Sequence, residues 1–192
     1  SRLNTSGNAI ITSEQPQPDA PFTPTVRASL AHNASVTRRR AANFYYGLRL
    51  TPEPKRSAVY TIYAVLRACD DIVDGETADR DAPTRIDRQA ALDRFEHEVH
   101  RAAHARDPRD LPAGLIWPAF HDVMRRYALD PALFRSMIAG QRQDLRHTPI
   151  DTFDDLYAYC YRVASTVGLM CIAVWGHNGS AEVKRLAEQR GI

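Results

Sequence analysis

From Val59 to Asp74 the apolar residues recur with the period of an α-helix and not with that of a strand. Val59, Ile62, Val65, Leu66, Cys69, Ile72 and Val73 fall on one face when the chain is wound at 3.6 residues per turn. Gly75 follows at once, where a helix C-terminal cap belongs. A second stripe runs through Tyr63, Arg67, Asp70 and Asp74, spaced i, i+4, i+7 and i+11. Two carboxylates one turn apart repel each other, and at a helix C-terminus they also oppose the macrodipole. Nothing in the folding of the helix asks for them. A divalent cation is the simplest explanation: Mg²⁺ binds through one or two carboxylates and fills its other positions with water and phosphate oxygens. The competing reading is a solvated acidic helix end. Arg67, in the same stripe, suits a diphosphate, since a guanidinium grips two oxygens at once.

Elsewhere the pattern is helical too. No alternating strand segment of useful length occurs in the 192 residues, so the fold class is all-α. Residues 1–30 are rich in Ser, Thr, Asn, Gln and Pro and lack periodicity, which reads as a disordered leader ahead of a domain over 31–192. A short helix is expected from Val36 through Tyr46, then a turn at the two prolines Pro52 and Pro54, then the helix from about Lys55 to Asp74. A helix over about Thr84 to Ala105 carries a narrow stripe of Ile86, Ala90, Phe95, Val99 and Ala102. The next carries Leu115, Phe120, Val123, Met124 and Tyr127. Asp130-Pro131 opens another, to about His147, with Phe134, Met137, Ile138 and Leu145 inward and Asp144 near the edge of that face. Thr152 and Asp155 form a capping box for a long helix to Trp175. On it Tyr159, Val163, Thr166 and Met170 share a face, with Arg162 beside them. Its run from Val163 to Trp175 is shorter than the roughly 20 residues a bilayer needs and reads as a buried core helix. Gly168 in mid-helix costs roughly 1 kcal/mol relative to alanine, which points to a close approach there. A last helical stretch covers Ala181 to Gln189.

An apolar share of 44% suffices for a core, and a formal charge of +2 gives no reason to expect a nucleic-acid partner. Cys69, Cys160 and Cys171 are scattered through apolar helical patterns and read as reduced core residues of a cytosolic protein. His97, His100 and His104 share a helix face, but the charges around them favour a plain surface. The run Arg38-Arg39-Arg40 fits either diphosphate oxygens or a solvated helix end. Tyr45, Tyr46, Tyr63, Tyr159 and Tyr161 could stabilise a cation through their rings, though core packing is the commoner role for any one tyrosine.

Three segments carry a resemblance. Asn43-Phe-Tyr-Tyr, the Tyr63-to-Asp74 stretch and Tyr159-Cys-Tyr-Arg-Val-Ala-Ser-Thr-Val-Gly168 together resemble the squalene/phytoene synthase family, in the family's order, with Ser165 where glycine is usual. The resemblance implies the isoprenoid synthase fold and a Mg²⁺-dependent 1′-1 joining of two prenyl diphosphates through a cyclopropylcarbinyl diphosphate. It implies metal ligands at Asp70 and Asp74 with Asp71 nearby, and diphosphate contact at Arg67 with Tyr63 at its edge. Tyr159 would act at the reacting centre, and Asp144, fifteen residues earlier, would face the cavity. Val163, Ala164, Val167 and Gly168 match positions lining the prenyl-chain tunnel. Arg40, Asn43 and Arg162 complete the substrate-binding candidates.

The same resemblance leads one to expect a second aspartate-rich helix, which would begin beyond Ile192. On that expectation these residues hold half of the metal site in an incomplete domain. The rival reading is a non-catalytic helical fragment or subunit that binds prenyl diphosphate or a partner chain. Farnesyl and geranylgeranyl donors both remain open, with a slight tilt to the squalene side, where NADPH would serve a reductive second step. Oligomeric state and peripheral membrane association for product release stay open as well.

Overall fold

The helix α3 (Lys55–Asp74) lies at the centre, with Ala58, Val59, Tyr60, Thr61, Ile62, Ala64, Val65 and Cys69 buried. Its bounds are those the periodicity predicts, and Gly75 closes it in the left-handed region at φ 74°. The computed structural model describes residues 22–75 and 84–176. The leader ahead of residue 22, the loop 76–83 and the helix expected at Ala181 to Gln189 therefore lie outside the described residues. Among those described there is no strand, and the remaining helices gather around α3.

The first of these, α1 (Pro24–Arg40), begins well inside the stretch 1–30 read as a leader. Thr23 caps it, its hydroxyl accepting from the Val26 N–H, and Pro24 sits where proline is tolerated at a helix start. Periodicity misses this helix because its inward stripe is largely polar. Ser29, Asn33 and Thr37, four apart, are fully buried. Thr37 donates to the Tyr60 carbonyl at 3.2 Å, and the Asn33 amide donates to the Thr61 hydroxyl at 3.4 Å. Ser29 donates to the Leu115 carbonyl at 2.5 Å and accepts from the Ala119 N–H at 2.9 Å. Hydrogen bonds to α3 and the next-but-one helix thus do what an apolar stripe does elsewhere.

A short α2 (Ala42–Gly47) leads into α3. The helix α4 (Arg85–His104) has the capping box of Thr84 and Asp87 and buries Leu92, Phe95, Val99 and Ala102. Ile86 and Ala90, in its first turns, are exposed rather than part of the stripe. His97, His100 and His104 are on its exposed side. The short α5 (Trp117–Arg126) and α6 (Pro131–Arg146) follow, and Phe120 and Phe134 meet edge-to-face at 5.0 Å between them. Leu115 precedes α5 and is exposed.

The last long run is one helix with an irregular middle. α7 (Phe153–Cys160) passes through a π-helical turn (Tyr161–Ser165) into α8 (Thr166–Trp175). The Thr166 N–H reaches back five residues to the Tyr161 carbonyl, and its hydroxyl donates to the Arg162 carbonyl at 2.7 Å. This run corrects the reading of a buried core helix. In its most apolar window only 22% is buried, because the described helices cover one side of it alone. Thr166, Met170 and Val174 face inward, while Phe153, Leu156, Tyr157 and Trp175 are exposed. Over Phe153–Trp175 its length and composition alone would suffice to cross a membrane, a test that core helices also pass. Cys160 is exposed and Cys171 partly so, which leaves Cys69 as the buried thiol.

Candidate active site

Side chains of α1, α2 and α6 meet the stripe on α3, and Tyr159 of α7 joins the group through Asp144 of α6. Asp71, one residue off the stripe, pairs with Arg67 one turn earlier at 2.5 Å and with Arg40 of α1 at 3.4 Å. One carboxylate thereby draws two guanidinium groups to the same spot. The resemblance groups Asp71 with the metal ligands; in the structure its carboxylate is paired with these two cations. Tyr63 lies beside the same charges, its ring centroid 5.4 Å from that of Phe44 on α2. Burial is the main reason its hydroxyl is held above the usual tyrosine range. Asn43, next to Phe44, is exposed, and Tyr45 stacks on Tyr60 at 4.8 Å, in the packing role.

Asp70 is the most perturbed carboxylate of the group. Burial pushes it up to about 6, Arg67 pulls the other way, and Asp74, Asp71 and Asp144 add repulsion. Its Oδ1 accepts from Gln141 of α6 at 2.7 Å. One turn further on α6, Asp144 accepts the hydroxyl of Tyr159, and this bond together with burial holds Tyr159 above the usual tyrosine range. A cavity of about 470 Å³ opens beside Asp74 and Asp144, lined also by Arg88, Gln143 and His147. Arg88 donates to the Val73 carbonyl at 2.7 Å and ties α4 to the aspartate end of α3.

The donors fit a hard cation that arrives with its own oxygen ligands. No three His, Cys, Asp or Glu side chains among the described residues close on one point, so there is no all-protein cage. Mg²⁺ does not need one: a pair of carboxylates and phosphate oxygens is its ordinary environment. Asp70, crowded by three acidic neighbours, gains from any cation brought to it.

A family model described as squalene/phytoene synthase matches residues 37–192. The chain belongs to the squalene/phytoene synthase family. Among curated members, it is 43% identical over 141 residues to the 15-cis-phytoene synthase of Synechococcus elongatus, covering 73% of this chain and 42% of that one. It is 36% identical over 159 residues to the phytoene synthase of Mycobacterium tuberculosis, covering 82% of this chain and 48% of that one. The chain therefore spans less than half the length of these relatives. Among solved structures, a dehydrosqualene synthase in complex with ligand superposes with a TM-score of 0.70 at 27% identity, over 86% of this chain and 53% of that one. The squalene synthase HpnC from Alicyclobacillus acidocaldarius does so with a TM-score of 0.70 at 26% identity, over 87% and 58%. The fold is the all-α isoprenoid synthase fold.

In this chain Arg40, Tyr63, Arg67, Asp70, Asp71, Asp74, Asp144 and Tyr159 come together. Arg162 does not join them: it donates to the Gln143 side chain at 2.9 Å, in an outer groove with Arg142 and Arg146. Val163 packs against Gly140, Ala164 is exposed, and Val167 and Gly168 are partly buried. Sequence reasoning passed over Gln141 and Gly140. Gln141 precedes Asp144 by three residues and so shares its face, a signal that was present; Gly140 gave none.

Proposed function

We propose that the protein carrying this chain joins two prenyl diphosphates 1′-1 through a cyclopropylcarbinyl diphosphate, with Mg²⁺ held by Asp70 and Asp74. The observation that carries the reading is the convergence of Asp70 from α3 with Asp144 and Tyr159 from α6 and α7, beside two arginines gathered on Asp71. When bound, the ion neutralises charge on a departing diphosphate. Arg40 and Arg67 offer planar guanidinium groups to the same diphosphate oxygens, and Asp71 fixes where they point. The Phe44 and Tyr63 rings offer π faces to an allylic cation near the leaving group. Burial and Asp144 keep Tyr159 protonated, so it presents an O–H at the reacting centre. Val163, Val167 and Gly168 supply apolar wall for the prenyl chain and keep out water that would quench the cation.

The relatives of higher identity bear the phytoene name, which favours a geranylgeranyl donor and a phytoene-type product over the squalene side. The test is product analysis of the full-length protein with each diphosphate, alongside Asp70→Ala and Asp74→Ala. Normal turnover in either variant would sink the proposal.

A further inference from the structure

Gly140 is the point of closest approach between α6 and the π turn. A Cβ built there would lie 2.8 Å from Val163 Cγ1 and 3.1 Å from Arg162 Cβ. Neither neighbour can swing aside easily. Val163 is β-branched and stiff about χ1, and the Arg162 Cβ is bonded directly to the backbone. A methyl group at 140 therefore moves the π turn away from α6 or bends α6 itself.

Two side-chain bridges depend on the same seating. Arg162 donates to Gln143 at 2.9 Å, and Tyr159 donates to Asp144. Gly140, Gln143 and Asp144 lie at i, i+3 and i+4 on α6, and they meet Val163, Arg162 and Tyr159 in turn. The π turn forms part of this pairing. Arg162 and Val163 lie in it and stand over Gly140, while the Thr166 hydroxyl takes up the carbonyl of Arg162.

We infer that Gly140 is a positioning residue: lacking a side chain, it lets the π turn seat on α6 and so sets the Tyr159 hydroxyl on Asp144. The link from that placement to turnover rests on the function proposed above. The placement itself does not.

The test uses the full-length protein as wild type, Gly140→Ala, Val163→Ala and the double variant. Fluorotyrosine labelling reports on Tyr159 by fluorine NMR, its resonance being the one lost in Tyr159→Phe. Gly140→Ala is expected to shift that resonance and to lower kcat by about 10²-fold with KM little changed, the size of loss that a misplacement of about 1 Å brings. The double variant, with the Val163 methyls gone, is expected to regain the wild-type resonance. A Gly140→Ala protein with an unmoved resonance overturns the inference. If that variant does not fold, the double variant decides, and a resonance still displaced there overturns it. Absence of turnover in the wild type would remove the proposed function and leave the resonance comparison to judge Gly140.

Discussion

The hydroxyl of Tyr159 donates to the carboxylate of Asp144, joining the π-bulged helix to α6 at the edge of the site. Because Asp144 also repels Asp70, this one bond couples the aromatic side of the site to the aspartates of α3. Tyr159→Phe should keep the fold, at a cost of about 0.5–1.5 kcal/mol in denaturant unfolding, the usual net worth of one hydrogen bond. Turnover of prenyl diphosphate should fall on the order of 10²-fold or more. A Phe variant with wild-type kcat would show that the hydroxyl has no part in the chemistry.

Asp70 makes metal-free stability depend on pH in a definite direction. Its carboxyl is raised from 3.8 to about 6 in the folded chain, so the folded state holds the proton more tightly than the unfolded one. The stabilisation is present at low pH and is lost as pH rises through about 6. In chelator, Asp70→Asn should therefore have the higher Tm at neutral pH, and the difference should vanish near pH 4. Added Mg²⁺ should raise the Tm of the wild type at neutral pH and leave the Asn variant where it was. A difference that stays constant across this range would mean that Asp70 is not the strained group.

Asp71 belongs with the arginines, and its removal should look different from that of Asp74. Asp71→Asn takes away the charge that Arg40 and Arg67 share, a charge-assisted interaction of about 1.5–3 kcal/mol. The expected result is a KM for prenyl diphosphate raised roughly ten- to hundredfold, with the Mg²⁺ concentration for half-maximal activity unchanged. Asp74→Asn should instead raise the Mg²⁺ requirement. Titrations of both variants with substrate and with metal would expose a reversed pattern at once.

Ser29 offers a stability test away from the site. Ser29→Ala leaves the buried Ala119 N–H without its partner and should cost about 1–3 kcal/mol in urea unfolding. A change within about 0.5 kcal/mol, the range of ordinary surface substitutions, would mean that the hydroxyl is not needed there.

What could be read from the sequence follows from which forces leave a periodic trace. α3 and α6 bury apolar side chains at helical spacing, so both the bounds of α3 and the inward set Phe134, Met137, Ile138 and Leu145 were legible. The first half of α1 was not, because Ser29, Asn33 and Thr37 bury hydroxyls and an amide where the eye looks for aliphatics. The Tyr63-to-Asp74 stripe was legible as a conflict of charges. The pairing within it was not, since Arg40 reaches Asp71 from another helix, a contact that no local pattern announces. The π turn left no trace, and with it Gly140 went unseen. A glycine at a close approach is found on α6, at Gly140.

The row of Ser29, Asn33 and Thr37 has one more effect. Greasy surfaces let a helix slide or roll by a fraction of a turn at little cost, since one methyl contact replaces another. Donors matched to particular carbonyls and hydroxyls permit no such exchange, so α1 is locked in register against α3 like a key in its wards. Arg40 ends that helix, three residues beyond the bond from Thr37 to Tyr60. Its reach to Asp71 is thus calibrated by uncharged groups that never meet a substrate.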